Sequence, residues 1–156
     1  MSDKGTELLE LEKELQVPSL SNADCLAIGL AAVEYIKEAG KPGVYIEVRR
    51  GAYTIFSYCM EGANWDNQLF ADRKINTVTK FEHCSMYAAI KYESKGRKFY
   101  DYYSPQEYQC KGGAFPLSIP STGMVGAIGV SGLSAEEDHG VAVEAIRRFL
   151  KHKAEA

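Results

Sequence analysis

The sequence lacks most of the patterns that assign a function at a glance. Cys25, Cys59, Cys84 and Cys110 are scattered, with no C-x-x-C pair. That excludes the usual zinc and dithiol spacings, and we expect reduced cytosolic thiols rather than a disulfide framework. No apolar run reaches the roughly 18 residues that a membrane-crossing helix needs. The acidic start, MSDKGTELLELEKEL, has no secretory leader pattern. Basic charge is not in excess: the net charge of -3 leaves no electrostatic footprint for nucleic acid or an anionic membrane. A P-loop, a G-x-S-x-G elbow and a covalent-haem C-x-x-C-H are all missing. The stretch GMVGAIG, residues 123–129, has neither the spacing of a dinucleotide fingerprint nor a helix directly after it. No metal-ligand spacing is found, and no metal site is expected.

What is present is an ordinary globular composition in a chain of 156 residues, which length priors make a single domain spanning 1–156. Tyrosine is plentiful, and Tyr100, Tyr102, Tyr103 and Tyr108 cluster as if to line a pocket or an interface. The most informative stretch runs from Lys111 to His139. Two apolar runs, Ala114–Ile119 and Met124–Val130, flank Pro120-Ser121-Thr122-Gly123. Proline fixes φ and glycine permits positive φ, so the segment reads as a β-hairpin. Ser134 and Glu137 then have capping-box spacing, and Glu136, Glu137 and Asp138 suit the positive end of a helix dipole. His139 falls in the first turns of that helix.

The rest of the chain follows by periodicity. Leu8, Leu11 and Leu15 predict a helix over Thr6–Gln16, ended by Val17-Pro18. Ser21 caps a second, with Leu26, Leu30, Val33 and Ile36 as its buried face and Gly40 at its close. Val44–Arg50 and Ala52–Met60 predict a hairpin around Gly51, with Val44, Ile46 and Val48 facing away from Tyr45, Glu47 and Arg49. A loop over Glu61–Asn67 holds the only tryptophan, Trp65. Helices are predicted over Gln68–Phe81 and Cys84–Tyr92, and a loop with a terminal strand over Ser94–Tyr103. A short helix follows from Ser104 to about Cys110, then the hairpin. Val141, Ala145, Phe149 and Val143, Ile146, Leu150 give a long C-terminal helix a broad apolar face, with a solvated tail over 151–156. The order α-α-β-β-α-α-β-β-α makes an α+β fold: an antiparallel sheet flanked by helices.

Five motifs carry a resemblance: Asn22-Ala23-Asp24, Arg73-Lys74-x-Asn76, Lys80-Phe81-x-His83, Gly112-Gly113-Ala114-Phe115-Pro116 and Val130-Ser131-Gly132-Leu133 with Asp138-His139. In order and spacing over about residues 8–150 they resemble the GlcG/HbpS-like family, closest to its small cytosolic "haem-degrading domain-containing" branch. The resemblance implies a profilin-like fold, ring-like homo-oligomers and the handling of haem or an iron-porphyrin. The sequence departs from that branch at Cys84, where serine is usual, at Lys80, where arginine is usual, and at Cys25, where alanine is usual.

Candidate site residues follow from these motifs. His83 and His139 are the imidazoles for an axial ligand, a general base or a pocket hydrogen bond; the alternative is a histidine that caps a helix end or satisfies a carbonyl. Asp138 beside His139 can fix its tautomer. Arg73 and Lys74, with Asn76, suit a clamp for carboxylates such as haem propionates, against the alternative of a solvated helix face. Gly112 and Gly113 before Phe115 either let the backbone approach a ligand or make a turn. Trp65 suits a subunit interface better than a ligand stack. His83 and Cys84 are neighbours on a helix about 100° apart, so they do not form a dyad. Two functions are carried forward: a cytosolic oligomer that binds haem or a similar small planar acid, with slow degradation belonging to the cofactor, and a non-catalytic oligomeric interaction module. Neither requires a membrane or nucleic acid.

Overall fold

The computed structural model describes residues 3–156. They form α1 (Asp3–Glu14), α2 (Asn22–Glu38), β1 (Tyr45–Arg50), β2 (Tyr53–Cys59), α3 (Trp65–Phe81), α4 (Ser85–Ser94), β3 (Ala114–Ile119), β4 (Gly123–Ser131) and α5 (Ala135–Glu155), with one 3-10 turn at Phe99–Asp101. This is the expected α+β fold with its long C-terminal helix. Both hairpins are present, and they join into one antiparallel sheet in the order β2-β1-β4-β3. Ser134 caps α5 by accepting the Glu137 N–H at 3.2 Å. Among the described residues, no helix is long and apolar enough to cross a membrane.

The sheet has two unlike faces because strand side chains alternate. Ile46, Val48, Phe115, Leu117, Ile128 and Val130 meet Val141, Ala145, Ile146 and Phe149 of α5 and Ile28 and Ala32 of α2 in the main core. On β3 and β4 the other face is made of small residues. Ala114 and Ala127 pack against Ile75 and Val78 of α3, and a Cβ at Gly129 would lie 2.6 Å from the Ile75 Cδ1. Small side chains let α3 lie close, and a polar set ties it down. Glu47 accepts from the Tyr45 hydroxyl at 2.6 Å and from Thr54 at 3.1 Å. Arg49 binds Glu47 and reaches Asp72 of α3 at 3.0 Å. Burial and the nearby Glu47 charge push the Asp72 carboxyl up to about 6.

Several expectations need correction. On α2, Leu26 and Leu30 are 48% and 51% exposed, while Cys25, Ile28, Gly29, Ala32, Val33 and Ile36 are buried. The buried face is turned because Gly29 and Ala32 permit close contact that a leucine would block. α1 spans Asp3–Glu14 rather than Thr6–Gln16. Leu15 is buried beyond its end, and the Val17 N–H donates to the Ser118 carbonyl at 2.8 Å. Trp65 begins α3 instead of lying in a loop, because Asn64 caps the helix: its Oδ1 accepts the Asp66 N–H, and Asn67 Oδ1 accepts the Asn64 N–H. No strand ends the 94–103 segment. Phe99 and Tyr103 instead turn inward against Phe81 and Tyr92, with ring centroids 5.1 to 6.1 Å apart. Residues 104–110 make one turn and no helix, held to α3 by the Asn76 side chain on the Glu107 carbonyl and the Thr77 hydroxyl on the Gln109 carbonyl. The tail over 151–156 is exposed as expected, and it is helical, since α5 continues to Glu155.

Two alanine substitutions test this packing with opposite signs. A Cβ at Gly29 would sit 2.3 Å from the Phe56 ring, so Gly29→Ala is expected to cost about 1–3 kcal/mol. Gly140 lies inside α5 with nothing within 4 Å of a Cβ, so Gly140→Ala is expected to stabilise by about 0.5–1 kcal/mol. Urea unfolding of the two variants reads both values.

Candidate functional site

A cavity of about 500 Å³ opens between α3 and the start of α5, with Asn67, Phe70, Lys74, Lys111, Leu133 and Asp138 among its lining. Lys74 lies on the buried side of α3 because its neighbours Ala71, Ile75 and Val78 pack on the sheet. Its ammonium passes the end of β3 and donates to Asp138 Oδ2 at 2.9 Å and to the Val130 carbonyl at 3.0 Å. Asp138 is fixed in turn, because its Oδ1 accepts the Leu133 N–H at 3.0 Å. The gap that admits the pair is made by glycine. A Cβ at Gly113 would lie 2.7 Å from Lys74 Nζ and 2.4 Å from the Val130 carbonyl oxygen, and its φ of +139° suits glycine alone. A Cβ at Gly112 would meet the Ala135 carbonyl oxygen at 2.4 Å.

The electrostatics follow from burial. The side chains of Lys74 and Asp138 are only 5% and 3% exposed. Desolvation lowers the Lys74 pKa against the attraction of Asp138, and nearby Lys111 lowers it further. Desolvation raises the Asp138 pKa against Lys74 and the backbone N–H groups of Leu133 and Gly132. Both shifts favour the neutral forms, so the proton between them is held loosely compared with a pair in water.

The candidate residues do not converge on one cavity. Lys74 lines the cavity, and Gly112 and Gly113 lie outside its lining, packed closely against α5 and the ion pair. Arg73 stacks its guanidinium 5.6 Å from the centre of the Phe70 ring, and Asn76 is engaged by the Glu107 carbonyl at 2.8 Å. Phe115 is buried in the main core, with its ring 6.0 Å from that of His139. His139 opens onto a different hollow beneath α1, among Lys4, Leu8 and Leu11. Its Nδ1 is buried without a hydrogen-bond partner among the described residues. Burial, aided by Lys4 and opposed by Glu12, pulls its pKa down to about 4, so the ring is neutral. His83 lies at the start of α4, where Glu12 of α1 takes its Nδ1 at 2.7 Å and the Cys84 N–H at 2.8 Å. Trp65 stands 75% exposed at the start of α3. Asp138 contacts Lys74 rather than fixing a histidine tautomer. Phe70 and Lys111 also line the cavity and are not candidates by sequence, while Leu133 belongs to the Val130–Leu133 motif without a role assigned to it. The one available signal was a lysine at a helix position whose i+1 and i+4 neighbours are apolar.

With this geometry in view, the chain can be placed among known proteins. Residues 20–147 match the family described as haem degrading protein HbpS-like, and the chain belongs to that family. Within it, the chain is 36% identical over 147 residues to a UPF0303 protein of Psychromonas ingrahamii, covering 93% of this chain and 92% of that one. Among solved structures it is similar to the Ybr137w protein, with a TM-score of 0.88 at 26% identity over 99% of this chain and 91% of that one. It also shares the fold of PduOC, solved as a haem complex, with a TM-score of 0.72 at 22% identity over 83% and 94% of the two chains.

Lys74→Met leaves Asp138 charged and buried, so urea unfolding is expected to show a loss of about 3–5 kcal/mol, and Lys74→Met with Asp138→Leu is expected to recover most of it. His139 supplies a pH effect. Its folded pKa lies near 4, below the ordinary 6.5, so the unfolded chain takes up the proton first. The stability it contributes is full above pH 6.5 and is lost as the pH falls toward 4. Urea midpoints measured across that window should lose this slope in His139→Asn.

Proposed function

We propose that this chain binds a small planar acid in the cavity between α3 and the start of α5, and that haem is the member of that class its family points to. One observation carries the reading: a single cavity joins an apolar wall, Phe70 and Leu133, to two cationic side chains, Lys74 and Lys111. A flat ring stacks on Phe70, and a carboxylate pairs with the exposed Lys111. Lys74 and Asp138 supply a base that is nearly neutral overall and little hydrated. The family description and the PduOC complex support haem as a ligand to test. The lining fits the plane and the acid groups of a porphyrin, but it includes no imidazole, thiol, thioether or phenol to hold iron. Degradation of haem therefore has no residue assigned to it in this cavity. The reading includes a cytosolic location, in keeping with four unpaired thiols.

A second reading, a homo-oligomeric interaction module, is favoured by a separate observation. Trp65, Leu69 and Phe70 stand exposed along the start of α3, and such a patch suits a partner surface. Light scattering is expected to give a multiple of the chain mass that falls in Trp65→Ala, and a monomer at micromolar concentration removes this reading.

Haemin titration tests the first reading. The Soret band is expected to shift in the wild type, and Phe70→Ala and Lys111→Glu are each expected to weaken binding by about tenfold, the equivalent of about 1.4 kcal/mol. His83→Ala and His139→Ala are expected to leave the affinity unchanged. A shift abolished by either histidine variant and untouched by the other two overturns the assignment to this cavity.

A further inference from the structure

We infer that Lys74 is a nucleophilic amine that captures a small carbonyl acid, such as a 2-oxo acid or an aldehyde acid, as an imine, with Asp138 moving the proton and Lys111 holding the carboxylate. This rests on the reading that the cavity between α3 and α5 is a ligand site, and it does not depend on haem.

Three features of the geometry point to this chemistry. The first is location: Lys74 lies within a helix face otherwise packed on the sheet, yet it lines a cavity large enough for a small molecule. The second is how the nitrogen is held. Asp138 Oδ2 and the Val130 carbonyl are its two hydrogen-bond partners, so one of the ammonium's three donor positions has no protein partner among the described residues. Gly113 keeps clear the space beside the nitrogen. The third is the surroundings. A lysine becomes a nucleophile when it is desolvated or set beside another cation, and Lys74 is both, with Lys111 nearby. Asp138 is anchored by the Leu133 N–H through one oxygen and touches Nζ with the other, the arrangement a proton carrier needs.

The atoms balance without any oxidant or reductant. The ammonium gives a proton to Asp138, and the free amine adds to the carbonyl carbon. A C–N bond forms, and the oxygen of the opened C=O takes the proton from Asp138. Asp138 then removes a second proton from nitrogen and delivers it to the carbinolamine hydroxyl, which leaves as water. The product is a protonated imine beside the Asp138 carboxylate. One cation still faces one anion, so the buried pair keeps its net charge throughout. That conservation makes the step feasible in a site where an uncompensated charge is costly.

The test is reductive trapping on the full chain at neutral pH, with glyoxylate and cyanoborohydride, read by peptide mass spectrometry. Lys74 is expected to be labelled faster than the exposed lysines, because desolvation and the neighbouring Lys111 leave more of its amine unprotonated. Labelling of the exposed lysines with Lys74 unmodified overturns the inference. Lys111→Gln is expected to slow glyoxylate labelling of Lys74 several-fold more than acetaldehyde labelling, because loss of the charge raises the amine pKa in both reactions but removes a carboxylate partner only in the first. Equal effects on the two aldehydes overturn the role given to Lys111. Haemin binding is read separately: labelling without haemin binding sinks only the haem reading, and haemin binding without labelling sinks only this one.

Discussion

The ion pair of Lys74 with Asp138 is the constraint around which this end of the molecule is arranged. It joins α3 to α5, 64 residues apart in sequence, though the two helices pack on opposite faces of the sheet. Such a link can only pass at a strand end. It passes where β3 begins, because Gly113 has no side chain to close the gap. Gly112 lets the start of α5 come down on the same turn. The consecutive glycines are thus a packing requirement of the pair, and the cavity is the space left beside it.

The same constraint explains the unequal faces of the sheet. One face carries Phe115, Leu117, Ile128 and Val130 and forms the main core with α2 and α5. The other carries Ala114, Ala127 and Gly129, so α3 approaches closely enough for a lysine side chain to reach the end of the sheet. Larger residues there would hold α3 outward and leave both charges unpaired. Glu47, Arg49 and Asp72 repeat the device on a smaller scale, linking β1 to α3 through charges that lie partly out of water. Polar links on this face set the position of α3, and apolar packing on the opposite face supplies most of the buried area.

The fold was largely legible in the sequence, because local rules and the global arrangement agree. Period-two strands, a Pro-Ser-Thr-Gly turn and the Ser134 cap fixed both hairpins and the last helix. What failed depended on partners far away. On α2 the expected face is half right: Val33 and Ile36 are buried, but Leu26 and Leu30 are not, since the choice of Gly29 and Ala32 over them is made by Phe56 and α5. Residues 99–110 have neither helix nor strand periodicity, because aromatic contacts with Phe81 and Tyr92 hold part of the segment and side chains of α3 hold the rest. Within the candidate site, Lys74, Gly112 and Gly113 could be picked out by motif, but Asp138 was read as a helix-start acid. Nothing local distinguishes an acid that caps a helix from one that meets a buried lysine.

The histidines and the lysine also divide the chemistry of the domain. His83 is engaged by Glu12, and the half-buried His139 lies beneath the same helix, so both imidazoles face α1, which precedes the residues matched to the family. The hollow at His139 is walled by Leu8 and Leu11 of α1. A neutral imidazole beside one hollow and a buried amine beside another are both consequences of desolvation, but only the amine has a carboxylate in place to move its proton. For that reason the nucleophile proposed for a chain whose family is described by haem is a lysine.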